Sequence, residues 1–220
     1  MDSRLSKIAE YVPRGSRVAD VGTDHAYLAI ALVESKKADF VIASDKNQGP
    51  LEAAQKNVKA AKLEDKIELR LGDGLKVINA GEVEIICIAG MGGALIKEIL
   101  TASPEVIKQA EKLILQPMNA VEKVRRWIKQ NNWRIEDEDL AEVDGIIYEV
   151  LSVAKGQVNE TVRTKKMESA LLPKFIKAKI ERLKRVLEEM SKSPTAVSSE
   201  KYLEIKKQIA KMEGELNEKR

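Results

Sequence analysis

The stretch from Arg17 to Ala26, RVADVGTDHA, limits what this chain can fold into more than any other. Val18, Ala19 and Val21 read as a short buried strand whose carboxyl end is Asp20-Val-Gly22. Tyr27, Leu28, Ile30, Ala31 and Leu32 read as the helix that follows. A strand that ends in an acid and a glycine and opens directly into a helix is how α/β folds seat a nucleotide-like ligand. Gly22 has no Cβ, so the backbone there can approach a ligand closely. The turn departs from G-x-G-x-x-G, because Asp24 and Ala26 follow Gly22. A dinucleotide pyrophosphate would meet the Asp24 carboxylate, which argues against that ligand.

The rest of the chain repeats the strand-then-helix rhythm. Residues 3–11 place Leu5, Ile8 and Ala9 on one helical face, and Val12-Pro13 ends that segment. Further apolar runs lie at 40–45, 67–71, 83–89 and 112–116, with helical patterns expected from Pro50 to about Lys62, Ala94 to Leu100, and Val121 to Asn131. The run from Val83 to Ala89 is almost wholly apolar, as expected of a central parallel strand buried on both faces. Trp133–Glu138 and Ile146–Ala154 then read as two late strands joined through Asp144-Gly145, one of them antiparallel. An α/β sheet of five strand–helix units closed by an antiparallel pair is the order expected of a class I methyltransferase with a Rossmann-like domain.

After Gly156 the strands stop. Ile176, Ile180, Leu183, Leu187 and Met190 recur at alternating spacings of four and three, and so do Tyr202, Ile205, Ile209, Met212 and Leu216. The intervening SKSPTAVSS (191–199) is a turn by composition. Two such seams make an antiparallel, coiled-coil-like helical hairpin. The expected domains are therefore 1–156 and 157–220.

Charge divides along the same line. From Lys155 onward there are 17 Lys and Arg against 10 Asp and Glu, while the preceding residues carry 21 against 25. A basic arm on an acidic body suits a polyanionic partner, and the bland alternative is a solvated lysine-rich helix surface. Cys87 is the only cysteine and His25 the only histidine, so no disulfide and no Cys/His metal cluster is expected. There is no P-loop, no leader-like apolar segment and no run long enough to span a bilayer, which points to a cytoplasmic protein. A hairpin seam satisfied within one chain leads us to expect a monomer.

Asp20, Asp45 and Asp73 each stand at or just past a strand's carboxyl end. Asp45 is suited to two ribose hydroxyls, since a carboxylate offers two acceptor oxygens. Asp73, between Gly72 and Gly74, is suited to an adenine amino group, and Asp20 to loop amides or an ammonium. Asp20-x-Gly22 is closer to the D/E-x-G-x-G-x-G loop that binds S-adenosylmethionine than to a dinucleotide loop. IAGMGG (88–93) lacks the [DNS]-P-P-[YF] of enzymes that methylate exocyclic amino groups, and its bare glycines suit a flat base lying close. Cys87 lies inside an apolar strand, where it reads as a small core residue and not as a nucleophile.

Arg4-Leu5, DVGTDHAYL (20–28), GDG (72–74), IAGMGG (88–93) and LQPM (115–118) together resemble the TrmK family of bacterial tRNA adenine-N1 methyltransferases, which act at position 22 of tRNA. The resemblance covers residues 1–155, and the basic hairpin is similar to that family's C-terminal domain. It implies a S-adenosyl-L-methionine-dependent enzyme acting on tRNA. It carries over Asp20, Gly22, Asp24, His25, Asp45, Asp73, Gly74, Ala89 and Gly90 to the cofactor. Arg4, Gly92, Gly93, Gln116 and Pro117 go to the substrate side, with Asp24 and His25 as the candidate catalytic pair. Arg163, Lys165, Lys166, Lys174, Lys177, Lys184 and Arg185 are expected to meet phosphates. After LQP the chain has Met118-Asn119 where the family pattern has Asn directly. Two alternatives stand beside this reading: a methyltransferase of small molecules, and a non-catalytic module that keeps a vestigial fold.

Overall fold

The computed structural model describes residues 2–156 and 164–217. The chain divides into two compact units, Met1–Met167 and Glu168–Arg220. The first is built on a seven-stranded sheet of β1 (Ser16–Val21), β2 (Ala38–Asp45), β3 (Ile67–Leu71), β4 (Ile85–Gly92), β5 (Lys112–Asn119), β6 (Trp133–Val143) and β7 (Ile146–Lys155). The strand order is β3-β2-β1-β4-β5-β7-β6. β1 to β5 run parallel, and β7 lies antiparallel between β5 and β6. The expected class I methyltransferase sheet, with its antiparallel late strand, is the one found.

Side chains alternate across the sheet into two cores, as a period of two requires. Ile86, Ile88, Leu113 and Leu115 pack with helices α4 (Gly93–Ala102), α5 (Pro104–Gln109) and α6 (Val121–Gln130). Ile85, Cys87 and Ile114 face the opposite way, toward α1 (Ser3–Tyr11), α2 (Tyr27–Glu34) and α3 (Gln48–Ala60). The chain runs outward from β1 to β3 and then crosses to β4 on the other side. The switch point therefore falls between β1 and β4, where such sheets open a crevice at their carboxyl ends.

The structure extends several expected elements. β4 continues through Met91 to Gly92 and β5 through Pro117 to Asn119, pairing Met91 with Pro117 and Gly92 with Asn119 across two register shifts. Pro117 is tolerated because the ladder is already irregular there and does not call on its missing N–H. β6 runs on to Val143, since after a shift near Ile135 it pairs with β7 all the way to Ile146. α5 is an addition: its six residues are too few to show a helical period.

The second unit is a helical pair, α8 (Leu172–Ser191) and α10 (Glu200–Asn217), preceded by the one-turn α7 (Lys165–Glu168) and joined through the one-turn α9 (Pro194–Val197). Every residue of the two expected seams is buried or half-buried, and Lys184 bridges the helices to Glu213 at 2.7 Å. The units part at Met167, beyond the expected boundary, because Lys165 and Lys166 are tied to the sheet. The Lys165 N–H donates to Asp137 at 2.9 Å, and the Lys166 ammonium meets Glu138 at 3.5 Å and also Glu149. Residues 157–163, including Arg163, lie outside the described residues. Among the described residues, no helix is long and apolar enough to cross a membrane.

Candidate active site

A cleft of about 270 Å³ opens at the carboxyl ends of β1, β2, β3 and β4. Gly22, Asp45, Asp73, Gly74, Ala89 and Gly90 line it, so six of the expected cofactor residues converge on one space. Its remaining walls include Asn47, Met91, Leu95 and Ile99, none of which the sequence reading assigned. Leu95 is 41% exposed, which is high for a leucine in the first turn of a helix that packs on the core. Asp45 lines the cleft, and one of its carboxylate oxygens accepts the Asn47 N–H at 2.8 Å. Asp73 is exposed and paired with Lys76 at 2.5 Å, which holds its carboxyl below the usual range. The set suits a nucleoside: a strand-end acceptor for hydroxyls, an apolar wall for a flat ring, and bare backbone at Gly90.

The turn after β1 is held from beneath. Gly22 and Thr23 both donate their N–H groups to the Ser44 carbonyl, at 2.8 and 2.9 Å, which pins the turn to the end of β2. Gly22 has φ +77, a conformation that disfavours any residue with a side chain, and a Cβ there would also require the end of the Met91 side chain to move aside. Asp20 does not reach the cleft. It is buried, accepts the Thr23 hydroxyl at 2.7 Å, and is pushed up to about pKa 6 by burial, with the Thr23 and Ala29 hydrogen bonds pulling the other way. α2 has no side-chain cap of its own at Ala26, so Asp20 supplies from β1 the carboxylate that a helix start favours.

Asp24 and His25 stand at the outer side of this turn. Asp24 is exposed, and His25 Nε2 lies 3.6 Å from Asp24 Oδ1. The His25 ring stacks on Tyr27, with centroids 5.4 Å apart and planes at 23°. The His25 carbonyl accepts from Asn57 Nδ2 at 2.9 Å, tying the turn to α3. Burial pushes the Cys87 thiol well up, and the Asp20 charge adds to it, so this cysteine is no nucleophile.

On the other flank, Gln116 gathers several of the residues expected on the substrate side. It is fully buried, and its Oε1 accepts the Gly90 N–H at 3.0 Å and Arg4 Nη1 at 3.4 Å. Arg4 also pairs with Asp2 at 2.8 Å and lies over the Tyr148 ring at 5.4 Å. Pro117 is buried beside Gln116, so both residues support this corner from below. Gly93 is buried as well, with its Cα against the carbonyls of Asn119 and Ala120, whereas Gly92 is half-exposed beneath the Asn119 side chain.

The basic residues separate by environment. Lys166 is largely enclosed in a charge cluster that includes Arg125, Glu138 and Glu149. Lys165 sits over Tyr11 at 4.5 Å, and Lys184 is paired within the helical pair. Lys174, Lys177 and Arg185 are exposed on α8.

A family model described as "Methyltransferase domain" matches residues 1–151. The tRNA (adenine(22)-N(1))-methyltransferase of Bacillus subtilis is 42% identical over 156 residues, an alignment that covers 71% of this chain and 66% of that protein. The crystal structure of the B. subtilis m1A22 tRNA methyltransferase TrmK superposes with a TM-score of 0.79 at 31% identity, over 99% of this chain and 96% of that one. Streptococcus pneumoniae Sp1610, solved in complex with S-adenosyl-L-methionine, superposes at 0.84 with 34% identity, over 98% and 100% of the two chains.

Proposed function

The chain belongs to the TrmK family of bacterial tRNA (adenine-N1)-methyltransferases, and on that premise we propose that it methylates ring nitrogen N1 of adenine 22 in tRNA with S-adenosyl-L-methionine. The observation that carries this reading is the convergence of Gly22, Asp45, Asp73, Gly74, Ala89 and Gly90 on one cleft at the switch point of the sheet. Asp45 would receive the ribose hydroxyls, Asp73 and Gly74 would border the adenine, and the small residues Gly22, Ala89 and Gly90 would face the remainder. When bound, S-adenosyl-L-methionine supplies a methyl group on positively charged sulfur, so that N1 takes up carbon and charge together.

N1 lies on the pairing edge of adenine, so the base must first be turned out of its stack. It already bears a lone pair, and no proton has to leave before attack. The protein's work is therefore placement, which can supply roughly 7–11 kcal/mol of the barrier. Gly92 adds no side chain of its own toward the extruded base, and the Asn119 side chain lies over it. Gln116 holds Gly90 and Arg4 in one arrangement, so the cofactor loop and α1 cannot shift independently. Asp24 is exposed beside His25, and its carboxylate would stabilise the ring that becomes cationic if the base is seated on this side of the cleft. Lys174, Lys177 and Arg185 would meet phosphates, giving affinity and register with little reading of sequence.

The test is methyl transfer from labelled S-adenosyl-L-methionine to an unmodified tRNA transcript, with the product nucleoside identified by mass spectrometry. N1-methyladenosine at position 22 is expected. Asp45→Ala should weaken cofactor binding by at least about 10- to 150-fold, the worth of one charged hydrogen bond. Methylation of another atom or position, or undiminished cofactor affinity in Asp45→Ala, would overturn the assignment.

A further inference from the structure

Tyr27 is the first residue of α2, and 54% of it is exposed, although its neighbours Ala26 and Leu28 are buried at 0% and 3%. Helical phase turns the ring outward: the flanking positions fill the core, and position 27 falls on the opposite side. The turn that presents it is stiff. Asp24 and Ala26 are both held in the left-handed region, at φ +51 and +59, and Asn57 fixes the His25 carbonyl between them. His25 stacks against Tyr27 and keeps one side of the pair occupied. Two aromatic rings are thus stacked outside the core where the turn that begins at the cleft-lining Gly22 enters α2.

We propose that the Tyr27 ring is the face on which the extruded target adenine stacks, and that His25 is a positioning residue which fixes the orientation of that ring. Extruded RNA bases rest on aromatic side chains because every base has a flat π-face, and stacking tolerates the change of partner from tRNA to protein. The reaction adds a second advantage. As N1 takes the methyl group the ring acquires positive charge, and the face of a tyrosine attracts a cation within about 6 Å. The platform therefore holds the base more strongly as the transition state is reached, which is the condition for raising kcat. The Gly92 side, where the Asn119 side chain overlies the glycine, brings no second aromatic residue to the base.

This inference rests on the proposed reaction, and the two fail differently. If the wild-type protein does not methylate tRNA, the reaction is wrong. If it does, Tyr27→Leu tests the platform, because leucine keeps apolar bulk and removes the π-face. Loss of one base-stacking contact predicts a fall in kcat of about 5- to 150-fold at saturating tRNA. Cofactor affinity measured by calorimetry should change less than about twofold, since the ring serves the base. Tyr27→Phe, which keeps the ring, should recover most of the lost rate, and His25→Ala should fall between the two. A kcat for Tyr27→Leu within twofold of wild type overturns the proposal, as does a loss confined to KM, which places the ring under a neighbouring nucleotide. Equal weakening of cofactor binding overturns it too.

Discussion

Gly93 gives the sharpest test of how the β4–α4 and β5–α6 turns are joined. It opens α4 and is buried, and a methyl group added to it would lie 2.5 Å from the Ala120 carbonyl oxygen and 2.7 Å from that of Asn119. Ordinary van der Waals contact begins at 3.4 Å. The β5–α6 turn would therefore have to withdraw by roughly 0.7–0.9 Å, and overpacking of that kind costs about 1–3 kcal/mol. Both opposing atoms belong to the main chain, at a point where β5 has just left its ladder and Ala120 is held at φ +47, so no side chain can swing aside. At roughly 2–4 °C per kcal/mol for a chain of this size, Gly93→Ala should lower the melting temperature by about 2–12 °C. The displaced turn carries Asn119 and lies three residues beyond Gln116, and a misplacement near 1 Å can cost about 100-fold in rate. Methyl transfer, assayed well below both melting points, should drop by about 10- to 100-fold beyond any loss of folded protein. Gly92→Ala is the control: the nearest atoms to its methyl would be those of the Asn119 side chain, with Oδ1 at 3.2 Å, a group that can move, and its melting point should stay within about 2 °C of wild type. A Gly93→Ala protein that melts within 1 °C of wild type, roughly the limit of resolving such shifts, would refute the argument that this backbone contact is closed.

The Asp20 carboxyl is raised to about 6 by burial against an ordinary 3.8, so the folded state holds its proton more tightly than the unfolded chain does. The associated stability is fully present below about pH 4 and is lost, on the order of 3 kcal/mol, as pH rises through 6. Asp20→Asn escapes that loss: the melting temperature of the variant minus that of wild type should climb between pH 4 and 7 and then level off, and a flat difference would contradict the burial of this charge. Lys166→Met removes one of the cations held by Glu138 and Glu149, where breaking a buried pair costs about 3 kcal/mol, so it should lower the melting point. Lys177→Ala with Arg185→Ala should leave the melting point in place, weaken tRNA binding and flatten its dependence on salt between about 50 and 200 mM. The opposite pattern, stability lost at α8 and affinity lost at Lys166, would reverse their assignments.

The fold was legible where hydrophobic pattern decides it. The run from Val83 to Ala89 reads as buried on both faces, and Ile85 to Ile88 do feed the two cores alternately. Pattern fails where pairing depends on a partner's register: nothing in QPMN or GMGG says that the glycines will continue β4, because a shift in β5 permits it. Lys166 shows the same limit for charge. Composition places a lysine among solvated residues, and only the sheet brings Glu138 from β6 and Glu149 from β7 to enclose it.

The three strand-end acids carry the lesson furthest. Asp20, Asp45 and Asp73 look equivalent in sequence, yet two line the cleft and one does not. β1 lies inside the sheet, between β2 and β4 and beneath the start of α2, and its acid is buried. β2 and the β3 exit lie toward the edge, where the end of the strand opens on solvent and a carboxylate can stay ionised at the rim. The order of strands therefore decides which acid can meet a ligand and which must brace the turn. That order follows from where the chain crosses from β3 to β4, a property of no single residue. It also explains why Asp20→Asn should reveal itself first in the pH dependence of stability, whereas Asp45→Ala should do so in cofactor affinity.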